Sequence, residues 1–198
     1  MEVYMLLTIP YDRRRAVEYA RRWALSRNPL FIDFAGIGGN CTNFISQCIL
    51  AGAPAMNYTQ TFGWYYISSE ERAPAWSGVE ELYSFLTGAP SFASQNKGYG
   101  PFGTDARSSR TVNVGDIIQL SDESGDFYHS LIISEFRDGD VLVCANSNDA
   151  LDRPLSSYTY AGIRVIHIEG AMIYIDDEAI FENLISGRSL PPIPAELP

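Results

Sequence analysis

The chain is poor in the residues that most site chemistry relies on. Its 198 residues include three cysteines and two histidines. Cys41, Cys48 and Cys144 are too few, and odd in number, for a disulfide framework. No C-x-x-C pair occurs, and His129 and His167 stand far apart, so neither a structural zinc site nor any other metal or cofactor is expected. Basic residues are also scarce: 14 Lys and Arg face 24 Asp and Glu, for a net charge of −10. The basic clusters Arg13-Arg14-Arg15 and Arg21-Arg22 fall on one predicted helix and read as its solvated face, not as a nucleic-acid footprint. No apolar run is long enough to span a bilayer, and the start, Met1 to Pro10, has an acidic second residue and too short an apolar stretch for a signal peptide. The expectation is a soluble monomer without nucleic-acid or membrane partners, cytoplasmic as written or secreted with its signal removed.

What is present fits one folded domain. Apolar residues make up 46% and charged residues 19%, and a chain of this length buries enough surface for a core without disulfides or metal. Residues 1–170 read as the domain, and 171–198 as a C-terminal helix with a Pro-rich tail appended to it. There are 12 Tyr, 10 Phe and 3 Trp. Such rings build cores, and they also line grooves that hold peptides or sugars.

Helical signals come first along the chain. Asp12 is placed to cap a helix through about Ser26, with Ala16, Val17, Ala20, Trp23 and Ala24 on its apolar face. A second helix is predicted from Cys41 to about Leu50, with Asn40 as its N-cap and Gly52 as its stop. Ser77-Gly78-Val79-Glu80 reads as a capping box opening a third helix that Gly88 closes. Residues 89–113 read as irregular. Strand signals follow at Ile117–Leu120, His129–Phe136, Val141–Ala145 and Ile163–Ile168, with Asp138-Gly139 as a hairpin turn. Asp176 is placed to cap a last helix to Ser186. Helices first and an antiparallel sheet afterwards define an α+β class.

One constellation can carry chemistry. Gly38-Gly39-Asn40-Cys41 delivers a thiol to a helix N-terminus, where free N–H groups and the helix dipole favour a thiolate. His129, at the front of a predicted strand, supplies an imidazole to act as base and then acid. The hairpin returns Asn146 toward His129, where its amide oxygen would fix the tautomer. The Cys41 N–H, with Asn40 as the nearest further donor, would stabilise an oxyanion. The remaining candidates have plainer readings: Cys48 and Cys144 as buried thiols, His167 as a core or edge histidine, and Asn148, Asp149 and Asp152 as turn residues without calcium-loop spacing. Gly36-x-Gly38-Gly39 lacks the remainder of a phosphate-binding loop.

These pieces, in order, resemble a known family. They are Tyr11-Asp12-Arg13, Ala16-Val17-x-Tyr19-Ala20 and Trp23, Arg27-Asn28-Pro29, Gly38 to Cys48, Trp64-Tyr65-Tyr66, Trp76-Ser77-Gly78-Val79, Gly115 to Gln119, and His129-Ser130. Together they are similar to the amidase domain (Amidase_6-like) related to the NlpC/P60 and CHAP papain-like cysteine peptidases of bacteria. The resemblance implies a papain-like fold, with helices packed on an antiparallel sheet. It also implies amide hydrolysis through an acyl-enzyme, with a peptide or peptidoglycan-stem substrate. Cys41, His129 and Asn146 would be the catalytic set, and Asn40, Trp64 and Trp76 the oxyanion and substrate contacts. Two positions depart from the family pattern, Asn40 for an aspartate and Asn146-Ser147 for His-Thr. A silent peptide- or glycan-binding module and an acyltransferase using the same residues are the alternative outcomes.

Overall fold

The computed structural model describes residues 7–95, 98–109, 111–173 and 178–190. Strand β1 (Leu7–Pro10) precedes helix α1 (Arg13–Trp23) and helix α2 (Cys41–Gly52). The short helix α3 (Pro74–Ser77), α4 (Val79–Leu86) and the short α5 (Pro90–Ala93) follow. Then come β2 (Gly100–Asp105), the turn of helix α6 (Ala106–Ser109), β3 (Ile117–Ser121), β4 (Phe127–Arg137), β5 (Asp140–Ala145), β6 (Ala150–Pro154) and β7 (Gly162–Ile173). Helix α7 (Glu178–Ile185) is last. All strand pairings are antiparallel, and the sheet runs β1-β7-β3-β4-β5-β6 with β2 also on β7. This is the α+β arrangement that the order of signals predicts.

Asp12 caps α1 as expected, its Oδ1 accepting from Arg15 N at 3.0 Å. The solvated-face reading holds for Arg14, Arg21 and Arg22, which are exposed, and is corrected for Arg13. Arg13 turns inward to the buried Asp116, at 2.5 Å, and donates to the carbonyls of Val114 and Ile168. Asp116 also accepts from Asn113 N and Ile168 N and meets His167 Nδ1 at 2.8 Å. A fully buried carboxylate needs such partners. One side chain therefore ties α1 to β3 and β7, and His167 belongs to this knot. Arg21 pairs with Glu135 and Asp152, both at 3.1 Å.

Helix α2 is buried along its whole length, between the sheet, α1 and the Trp64–Trp76 region. An all-round buried helix ordinarily lacks polar residues, yet this one carries four. Each has a partner: Thr42 meets Ser130 Oγ at 3.0 Å, Asn43 donates to Ile32 O and accepts from Trp76 Nε1, Ser46 donates to Trp76 O and accepts from Trp64 Nε1, and Gln47 accepts from Tyr19 Oη. The helix runs through Gly52, where an added Cβ would strike the Tyr11 ring and the Asp12 carbonyl.

Two expectations fail locally. The capping box does not form: Ser77 closes α3, and α4 starts from Gly78 with no side-chain cap. The stretch read as irregular contains β2, whose Gly-Pro-Phe-Gly sequence opposes strand structure. It is held by β7 across a bulge at Phe102/Gly103, where the backbones approach so closely that a Cβ on Gly103 would collide with the His167 carbonyl. Asp138 and Gly139, with φ of 53° and 81°, make the predicted hairpin turn between β4 and β5. Phe181 and Leu184 of α7 join the main core, and Trp23 Nε1 donates to Ile185 O at 3.3 Å. Asp176 and the Pro-rich tail lie outside the described residues.

Candidate active site

Cys41 opens α2, after a turn in which Gly36, Gly38 and Gly39 all have positive φ. The turn thus needs glycine to reach the helix at this angle. The thiol is 7% exposed, and its Sγ lies 3.9 Å from the carbonyl oxygen of Tyr128, the residue before His129. The start of α2 therefore abuts the start of β4. Beside the thiol, Thr42 and Ser130 join the two elements, and Gln119 Nε2 donates to the same serine at 3.2 Å.

The side chain of His129 lies on the opposite face of this strand. Alternation along β4 puts Ser130 and Ile132 toward α2 and sets His129 with Leu131 and Ile133, which belong to a second apolar cluster. The imidazole lies between the rings of Tyr128 and Tyr158, at centroid distances of 6.3 and 6.2 Å. Its Nε2 is buried and makes no hydrogen bond within the chain. Burial, followed by the nearby Arg153 cation, lowers its pKa to about 4. The neutral ring is the form present at physiological pH. The sequence brings Cys41 and His129 to one strand end, but no hydrogen bond joins Sγ to the imidazole.

Asn146 is corrected as the group that orients the imidazole. Its Oδ1 accepts from Asn40 Nδ2 at 2.6 Å, and its Nδ2 faces the carbonyls of Trp23, Ala24 and Ser26 at 3.2–3.4 Å. The amide caps the C-terminus of α1, where carbonyls otherwise lack partners. Asn40 is likewise engaged, its Oδ1 accepting from Phe34 N and Asn43 Nδ2 while its N–H donates to Ser147 Oγ. The hydrogen bond that Asn40 Nδ2 makes goes to Asn146. The backbone N–H of Cys41, at the first turn of α2, is a donor of the kind such a site needs. Asn40, Asn146 and Ser147 form a fully paired polar lock that holds the thiol-bearing end of α2 against the loop after β5. Ser147 and Asn148 sit at φ of 75° and 62° to make this contact, a strained backbone of the sort found where a loop has a fixed task.

Trp64 and Trp76 are also corrected. Both are fully buried, their indole N–H groups bound to Ser46 and Asn43; the two indoles are tilted against each other, with Trp76 stacked on Phe31 and Trp64 on Phe85. They support α2 from below and touch no open surface. Aromatic content alone does not separate groove from core. An exposed ring near the start of β4 is Tyr128, 49% accessible, stacked on His129. Sequence reasoning missed Tyr158 and the lock role of Ser147, because only the fold carries these loops to the site. Cys48 and Cys144 are buried in the main core, and burial raises the pKa of both.

An α+β domain with a thiol at a buried helix start fits what the comparisons return. Residues 10–168 match the family described as "Putative amidase domain", and the chain belongs to that family. Membership suggests a hydrolytic amidase role. The chain is also 29% identical, over 143 residues, to "Uncharacterized protein YhbB" of Bacillus subtilis (strain 168). That alignment covers 71% of this chain and 42% of the relative. No solved structure matches. Among the described residues no helix is long and apolar enough to cross a membrane.

Proposed function

We propose that the chain is a cysteine-dependent amidase of papain-like type, related to the NlpC/P60 and CHAP peptidases. Its proposed substrate is a peptide of the bacterial cell wall. The observation that carries this reading is the meeting of Cys41, at the N-terminus of α2, with the Tyr128–His129 end of β4, in a chain of an amidase family. The cell-wall substrate rests on the family resemblance.

The chemistry runs as follows. Cys41 gives its S–H proton to the neutral imidazole of His129, and Sγ bonds to the substrate carbonyl carbon. The oxyanion is met by the Cys41 N–H. The C–N bond breaks, and the imidazolium passes its proton to the leaving amine. Water, deprotonated by the same ring, then cleaves the thioester and frees the acid. Hydrogen bonds between catalytic groups are often long before substrate binds, and this reading requires the thiol–imidazole bond to close in the complex. The test is hydrolysis of purified stem peptides, with trapping of the acyl-enzyme by intact mass. Wild type should form the thioester and Cys41→Ala neither thioester nor product. Full turnover by Cys41→Ala would overturn the mechanism.

The engaged amide of Asn146 and the unpaired imidazole favour a second reading, a binding module without turnover. It predicts peptide affinity that is unchanged in Cys41→Ala and no thioester in wild type.

A further inference from the structure

Two polar atoms are buried and have no hydrogen-bond partner: Nε2 of His129 and the hydroxyl oxygen of Tyr158. They belong to neighbouring rings, tilted 37° to each other. Buried polar atoms without partners are rare in folded chains, and each costs the free energy of its lost hydration. Here the two belong to rings whose centroids lie 6.2 Å apart, and no hydrogen bond yet joins them. The other phenol beside the imidazole is already committed, Tyr128 Oη donating to Thr159 O at 3.3 Å. Asn146 is committed too, through both ends of its amide.

Resting on the amidase reading above, we propose that Tyr158, and not Asn146, is the residue that positions the His129 imidazole, its phenol oxygen accepting the Nε2–H. The direction of that bond follows from the chemistry. A histidine that takes a proton at Nδ1 must carry its own hydrogen on Nε2. An acceptor at Nε2 selects this tautomer and leaves Nδ1 as the basic nitrogen. Tyr158 is well placed to stay still. Its backbone N–H donates to Leu155 O at 3.0 Å, and the guanidinium of Arg153 lies 3.9 Å above its ring. Arg153 is itself anchored on Ser157, through Oγ at 2.8 Å and the carbonyl at 3.0 Å. The segment after β6 thus forms a rigid backing for the ring. Tyr158 is a positioning residue, because it acts through the imidazole and not on the substrate.

The test uses the scarcity of histidine. With two imidazoles in the chain, ¹⁵N-histidine labelling at neutral pH gives a spectrum that His167→Gln assigns. Wild-type His129 is expected in the Nε2–H form. Tyr158→Phe keeps the ring and its stacking but removes the acceptor. It should populate the Nδ1–H form and lower kcat about tenfold with KM unchanged, roughly what one neutral hydrogen bond is worth. A wild-type ring already in the Nδ1–H form overturns the proposal, as does a Tyr158→Phe variant with wild-type tautomer and kcat. Should the wild type hydrolyse no peptide, the amidase reading falls, while the tautomer comparison still rules on Tyr158.

Discussion

On the proposed mechanism, the imidazole of His129 is a base that acid does not easily disable. Burial, then the Arg153 charge, brings its pKa to about 4, so the ring keeps its basic form well below pH 6. The acid limb of kcat/KM is expected near pH 4–5, and not near the ordinary histidine value of about 6.5. A pH–rate profile on a stem peptide checks this. The same shift has a stability consequence of fixed sign. Unfolding frees the ring to bind a proton at its ordinary pKa, so the unfolded chain gains protons first as pH falls. This contribution to stability is complete above about pH 6.5 and is lost progressively toward about pH 4. Denaturation midpoints across that window should fall less steeply in His129→Gln than in wild type. At this scale the sequence was legible for residues whose role follows from chain position. Cys41 at a helix start and His129 at a strand start are both where the pattern puts them. It was not legible for side-chain partners. Nothing in the local sequence says that Asn146 turns its amide to Asn40 and the end of α1, or that Trp64 and Trp76 lie inside.

Helix α2 is held by its polar contacts at least as specifically as by its apolar ones. The lock of Asn40, Asn146 and Ser147 ties its first turn to the loop after β5. Asn146→Ala would take the partner from Asn40 Nδ2 and from the Ala24 carbonyl, at a cost of about 1–3 kcal/mol. Because that lock sets the thiol's position, kcat should fall with it, and denaturant titration together with kinetics on the same sample checks both. Elements with their own signals were legible: α1 with its Asp12 cap, α2, and the strands β3, β4 and β5 around the Asp138-Gly139 turn. Strands β1, β2 and β6 were not. Each contains proline, β2 has two glycines besides, and all are short. They become strands because β7 and β5 offer backbone partners, a tertiary cause that local propensity does not encode. The capping box failed for a similar reason. The helical turn around Trp76, which fills the core beneath α2, takes Ser77 as its last residue.

Across the whole molecule, the Asp116 knot joins distant parts of the chain. Its carboxylate reaches Arg13 near the start of the fold and Ile168 and His167 near the end. Removing one partner of a buried ion pair costs about 3–5 kcal/mol, and Asp116→Ala is expected to lose that much in urea titration. Arg14→Ala, at an exposed pair with Glu18, should change stability by less than about 1 kcal/mol. The knot also has a meaning for synthesis. A chain growing on the ribosome makes α1 and Cys41 before β7, which brings the Ile168 N–H and the His167 ring. Until then Asp116 has an incomplete set of partners and β3 has a bare edge. Cys41 therefore leaves the ribosome well before β7, the strand that completes this knot and covers the edge of β3.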